Sequence, residues 1–170
     1  MGRYPDGFPH SMRKVRVNTE FKEAAMKASL FAMRSHQRMD FLEGLGKVRG
    51  RLRKQFVEKL LVIVLREDSN AIVRHEAAFI LGSLHRNGKP LSIASIEALC
   101  ERALHDPSSV VRHEAAESLG WIPEPRARKA LEQLLLDSNE DVVETARICL
   151  GRREPLVQSL DLKRRVVPSG

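Results

Sequence analysis

The sequence predicts an all-α protein, a short α-solenoid of about seven to eight helices stacked as hairpins. Three observations predict it. The decapeptide Val73–Gly82, VRHEAAFILG, returns almost unchanged as Val111–Gly120, VRHEAAESLG. Three segments that begin at Asp68, Asp106 and Asp137 close on Leu-Gly at Gly82, Gly120 and Gly151, with 38 and 31 residues between successive aspartates. That period belongs to stacked helical pairs. Apolar residues recur three and four apart throughout, and no alternating run competes for a strand.

The elements follow in order. Residues 1–17 read as a basic N-terminal arm, 18–50 as an N-terminal helical cap, 51–155 as the repeats and 156–170 as a basic C-terminal tail. Within the cap, residues 21–49 read as one helical pair, with Met26, Met33 and Met39 as flexible core fillers. The first helix of each repeat falls near 52–66, 91–105 and 126–136. The second helices begin after Asp-Ser-Asn or Asp-Pro-Ser-Ser, which is N-cap chemistry, and are expected to end at Gly82, Gly120 and Gly151 as the residue past the helix. In the first of them Val73, Ala77, Ile80, Leu81 and Leu84 form the buried stripe, and His75, Glu76, Ile72 and Phe79 lie off it. Asp68 and Arg74, and Asp106 and Arg112, share a six-residue offset that predicts an Asp–Arg ladder between neighbouring repeats. His10 and His36 are expected on the surface, His105 as a helix-end cation beside Asp106, and Trp121 against the next turn, with a substrate mouth or a dimer seam as its alternative place.

Charge is uneven. Residues 1–60 carry a net +8, residues 61–150 a net −4 and residues 151–170 a net +3, within an overall +7. Basic ends suit nucleic acid, an acidic partner or simple solubility. Nucleic-acid binding lacks its interleaved aromatics, with one Tyr, one Trp and six Phe that mostly follow the helical core pattern. The chain shows no apolar run long enough for a bilayer and no signal-peptide core near its start. Cys100 and Cys149 sit inside apolar helical patterns and are expected as buried thiols of a cytoplasmic protein.

The repeated His-Glu is the feature that helix packing does not explain. Equivalent positions on stacked helices lie about 8–10 Å apart. An imidazole reaches far enough from its helix for two of them to meet on one ion at about 2.0–2.1 Å. His75 and His113, joined by Glu114, would give two histidines and a carboxylate with positions left open, the ligand set of oxygen-activating non-haem iron. Both histidines are expected in a first helical turn, where the helix dipole would keep the rings neutral and Glu76 and Glu114 ionised. The segments His75–Phe79 and His113–Glu117 lack the second His of a zinc-protease helix, and no phosphate loop, CxxC pair or nucleophile elbow is present.

With VRHEAAFILG, VRHEAAESLG and the closing DVVETARICLGRREPL, the chain resembles one half of deoxyhypusine hydroxylase over about residues 55–155. The surrounding VRxEAAxxLG pattern is the general HEAT-like consensus, shared with phycobilin-lyase-type repeats. The resemblance implies a HEAT-repeat di-iron enzyme that hydroxylates a modified lysine side chain with dioxygen. It implies His75, His113 and Glu114 as ligands of one iron, and Glu76 as a carboxylate that works at the site and holds a cationic substrate group. Glu144 and Thr145 stand where the family's closing repeat replaces His and Glu. The family carries four His-Glu pairs and this chain two. Its loop from His85 to Leu91 is a few residues longer, and its first 50 residues carry no match. A twofold homodimer would restore four pairs. The expected substrate is then a small molecule or a protein side chain. The competing expectation is a scaffold without catalysis that binds a protein partner along its concave face.

Overall fold

The computed structural model describes residues 27–46 and 51–152. The chain divides into two compact units, Met1–Met33 and Arg34–Gly170. The described part of the first unit is helical over 27–32 (α1), and the Met33 amide donates to the Leu30 carbonyl at 3.1 Å. Met26, His10 and both basic arms fall outside the described residues.

The second unit contains α2 (Ser35–Gly46), α3 (Arg51–Glu67), α4 (Ala71–Arg86), α5 (Ile93–His105), α6 (Ser109–Gly120), α7 (Pro125–Leu134) and α8 (Glu140–Gly151). Among the described residues there is no strand. Helices α3/α4, α5/α6 and α7/α8 form three hairpins. The second helices α4, α6 and α8 pack side by side in one layer, α2 continues that layer ahead of α4, and α3, α5 and α7 form the other. No described helix is long and apolar enough to cross a membrane.

Local chemistry explains the helix starts. Asn70 caps α4 by accepting from the Ile72 amide at 2.8 Å, and Asn139 caps α8 by accepting from the Val142 amide at 3.2 Å. Ser108 occupies the same place on α6 without a side-chain bond. Ser92 caps α5 and is itself held from α3: Glu58 accepts from the Ser92 amide and the Ser95 hydroxyl, each at 2.8 Å. That leaves Glu58 satisfied at 4% exposure. Between the layers lie Leu60, Leu61, Leu65, Leu81, Leu99, Leu119 and Leu131, all fully buried. Val73, Ala77, Ile80, Leu81 and Leu84 form the stripe the periodicity predicted.

The ladder is present and has one more rung than the sequence suggested. Arg74 donates to both Asp106 oxygens at 2.8 and 2.7 Å, and to the Asp68 carbonyl at 2.8 Å. Arg112 repeats this on Asp137 at 2.8 Å twice and on the Asp106 carbonyl at 3.0 Å. Ahead of them, Arg38 of α2 grips Asp68 at 2.7 and 3.0 Å. Each aspartate also accepts the amide two residues on, from Asn70, Ser108 or Asn139 at 2.9 Å, so one carboxylate ties a turn to the previous helix.

Three expectations need correction. The Leu-Gly glycines do not leave their helices: Gly82 lies inside α4, Gly120 and Gly151 are the last residues of α6 and α8, and among described residues only Gly88 has positive φ, at 74°. Two of them instead permit close helix approach. A Cβ on Gly82 would lie 2.8 Å from Ser118 Cβ and closer still to its hydroxyl, and one on Gly120 would lie 2.5 Å from Cys149 Sγ. Cys149 is buried as expected, but Cys100 is only partly so. Met33 and Met39 are half-buried rather than core residues.

Candidate functional site

The face of the α4–α6–α8 layer carries the His-Glu motifs. The two interfaces repeat one register. Arg74 meets Asp106 as Arg112 meets Asp137, and Gly82 meets Ser118 as Gly120 meets Cys149. In the same register His75 meets Glu114, and His113 meets Thr145.

His75 Nε2 lies 3.3 Å from Glu114 Oε2. Across the next interface, His113 Nδ1 lies 2.8 Å from Thr145 Oγ1, and that hydroxyl also lies 2.8 Å from the Asp141 carbonyl one turn back. So the structure brings two of the three predicted ligands into contact and places the third on the same helix as Glu114, with one ring nitrogen engaged. Among the described residues, no three His, Cys, Asp or Glu side chains are gathered closely enough to enclose a metal.

Glu114 departs from expectation. It is buried, at 8% exposure, where an ionised carboxylate was expected. Burial, helped by the neighbouring carboxylates Glu117 and Glu76 and opposed by Arg86, pushes its carboxyl up to about 7. It is therefore not fully ionised at neutral pH. Burial, then Glu43, also raises the Glu76 carboxyl. The His75 ring is held below its ordinary value by burial first and by His113 second. The helix dipole is not the cause: His75 and His113 are each the fifth residue of their helices, past the first turn.

Glu76 is half-buried. It faces Glu43 of α2 across a hollow of about 210 Å³ that Phe79, Ser83 and Asn87 also line. His113 and Thr145 line an open groove of about 400 Å³ with Val110, Asp141, Glu144 and Ile148. Ile72, Phe79, Val110 and Ile148 remain exposed on these helices. Trp121 does not pack under the next turn. It is exposed, with the Arg86 and Arg152 guanidinia 5.6 and 5.1 Å from its ring, while Arg86 also lies 5.7 Å from Phe79.

Sequence reasoning missed Glu43, Thr145 as a partner of His113, and α2 as a member of the site layer. A signal for α2 existed: Arg38-Met39-Asp40 through Leu45-Gly46 matches Arg74-His75-Glu76 through Leu81-Gly82, with Met where the histidine stands.

Comparison with known proteins agrees with this architecture. A family model described as HEAT repeats matches residues 58–151. Deoxyhypusine hydroxylase of Mus musculus is 36% identical over 94 residues, 54% of this chain and 29% of that protein. The enzyme of the same name from Homo sapiens is 32% identical over 92 residues, again 54% and 29%. That of Eremothecium gossypii is 34% identical over 84 residues, 49% and 24%. The chain thus spans under a third of the length of these curated relatives. The solved structure of human deoxyhypusine hydroxylase in complex with glycerol matches the fold with a TM-score of 0.61 at 24% identity, over 78% of this chain and 43% of that one. With more than half of its residues matched by the family model, the chain belongs to the HEAT-repeat family and is similar, over about half of its length, to deoxyhypusine hydroxylase.

Proposed function

We propose that this chain is an iron-dependent hydroxylase that uses dioxygen, related to deoxyhypusine hydroxylase, with its site completed by a second copy in a homodimer. The observation that supports it most is the meeting of His75 and Glu114 from successive helices at 3.3 Å, with His113 beside Glu114 on α6. The donors fit a di-iron centre in kind: two imidazoles and a carboxylate suit iron. They also fit in electrostatics, because a carboxyl that burial holds near 7 regains its charge when a cation arrives.

In this reading His75, His113 and Glu114 hold the metal, which would supply the binding and reduction of dioxygen needed to hydroxylate an aliphatic C–H bond. The chain's own part is orientation and charge. Glu76, raised by burial and facing Glu43, holds a cationic group of the substrate in the adjoining hollow. Glu114 exchanges a proton for the cation. Exposed Ile72, Phe79, Val110 and Ile148 give the same layer an apolar surface for a twin subunit to cover. Cys100 and Cys149 are both thiols rather than halves of a disulfide, which suits a reducing cytoplasm. A second reading, a scaffold that seats a protein partner on this layer, draws on that same apolar surface and on the Phe79–Arg86–Trp121 stack.

Metal content and solution mass test the two together. Protein from iron-supplemented culture is expected to hold about one iron per chain as a dimer. His75→Ala and His113→Ala are expected to lose the metal while keeping their helical circular dichroism. A metal-free monomer with an affinity for another protein would replace the enzyme reading with the scaffold.

A further inference from the structure

One hydroxyl at the site has two short contacts and a single proton. Thr145 Oγ1 lies 2.8 Å from the Asp141 carbonyl and 2.8 Å from His113 Nδ1. The carbonyl can only accept, whereas an imidazole nitrogen either donates or accepts according to its tautomer. If the hydroxyl gave its proton to Nδ1, two oxygens would face each other at 2.8 Å with no hydrogen between them. If it gives the proton to Asp141, then Nδ1–H donates to Oγ1 and both contacts become hydrogen bonds. That arrangement satisfies every atom, and it leaves the lone pair of a neutral ring on Nε2.

We infer that Thr145 is a positioning residue: through its bond to the Asp141 carbonyl it locks His113 as the Nδ1–H tautomer and keeps the Nε2 lone pair free for a Lewis acid. The lock is a property of the metal-free chain; only the naming of the Lewis acid as iron rests on the function proposed above. The partner of a ligating ring nitrogen selects the tautomer and orients the ring. The register supports the assignment. At the first interface the place of Thr145 is taken by Glu114, which meets Nε2 of His75. A residue that accepts or donates according to its own bonds thus meets the second histidine, on the opposite ring nitrogen. The two imidazoles are set differently although their decapeptides are nearly the same.

The test uses the full chain labelled with ¹⁵N-histidine, at a pH where the rings are neutral. Long-range ¹H–¹⁵N correlations report which ring nitrogen bears the proton, and the His113→Gln variant assigns the signals. The expected result is an Nδ1–H ring for His113 in the parent and in Thr145→Ser, and a shift towards Nε2–H in Thr145→Val. Ferrous iron titrated anaerobically is the second readout. Thr145→Val is expected to bind it roughly 10–100-fold more weakly, with Thr145→Ser close to the parent. A parent His113 protonated on Nε2, a tautomer unchanged in Thr145→Val, or equal iron affinities in parent and Thr145→Val would each overturn the inference. A lock that Thr145→Val releases in a chain that takes up no iron upholds the lock and removes the iron reading instead.

Discussion

Arg74 and Asp106 form a two-pronged pair across successive hairpins, 2.8 and 2.7 Å long, with side chains 8% and 0% exposed. Such a pair is costly to break from one side, because the survivor stays buried and charged. Arg74→Ala is expected to lower unfolding stability by about 3–5 kcal/mol. Arg112→Ala, whose pair is slightly more open, is expected to cost less. Urea denaturation followed by circular dichroism measures both, and a loss under 1 kcal/mol for Arg74→Ala would contradict the ladder's structural role.

Helix approach at Gly82 gives a second expectation. A methyl there runs into Ser118, whose hydroxyl donates to the Ala78 carbonyl at 2.9 Å. Gly82→Ala is expected to destabilise by about 1–3 kcal/mol through overpacking. Ser118→Gly in the same chain should recover part of the loss, which a double-mutant cycle on thermal unfolding detects.

Acid dependence follows from Asp137. The Arg112 hydrogen bonds hold its carboxyl below the ordinary value of 3.8, with burial opposing and the Asn139 amide assisting. A depressed carboxyl contributes stability that is present above 3.8 and is lost as pH falls through the lower, folded value. Arg112→Met should therefore flatten the stability profile below about pH 4, relative to the parent. Parallel acid profiles for the two proteins would rule this out.

Glu58 supplies a fourth test, on the cap of α5. Glu58→Ala takes the acceptor from the Ser92 amide and leaves the buried Ser95 hydroxyl with Ser92 Oγ, 2.9 Å away, in its place, at an expected cost of about 1–3 kcal/mol. Hydrogen exchange should show the first turn of α5 opening more readily than α4.

Much of the layer was readable from the chain because its signals are local or periodic. Repeated Asp, Arg and Gly at fixed offsets mark a stack whose interfaces are copies of one another, and the stripe through Val73 and Leu84 needs only the helical repeat. What could not be read depends on the neighbour across an interface. Glu114 reads as an ionised carboxylate beside His113, yet the approach of α4 buries it and raises its carboxyl to about 7. Thr145 is an ordinary helical threonine until α6 supplies His113 Nδ1. The glycines resemble helix stops because Leu-Gly usually ends a helix, whereas Ser118 and Cys149, dozens of residues away, demand their small size. Arg38 was passed over because Met39 interrupts the His-Glu signature beside it.

The unequal spacing of the hairpins carries a practical corollary. The extra length between the first two aspartates is taken up by the longer α4 and α5 and by the Asn87–Ser92 turn, where Gly88 bends the chain the left-handed way. Rungs on either side keep their register regardless. This turn is thus a natural splice point: a peptide tag or fluorescent reporter inserted after Gly88 would ride outside the stack and leave the pairing of His75 with Glu114 untouched.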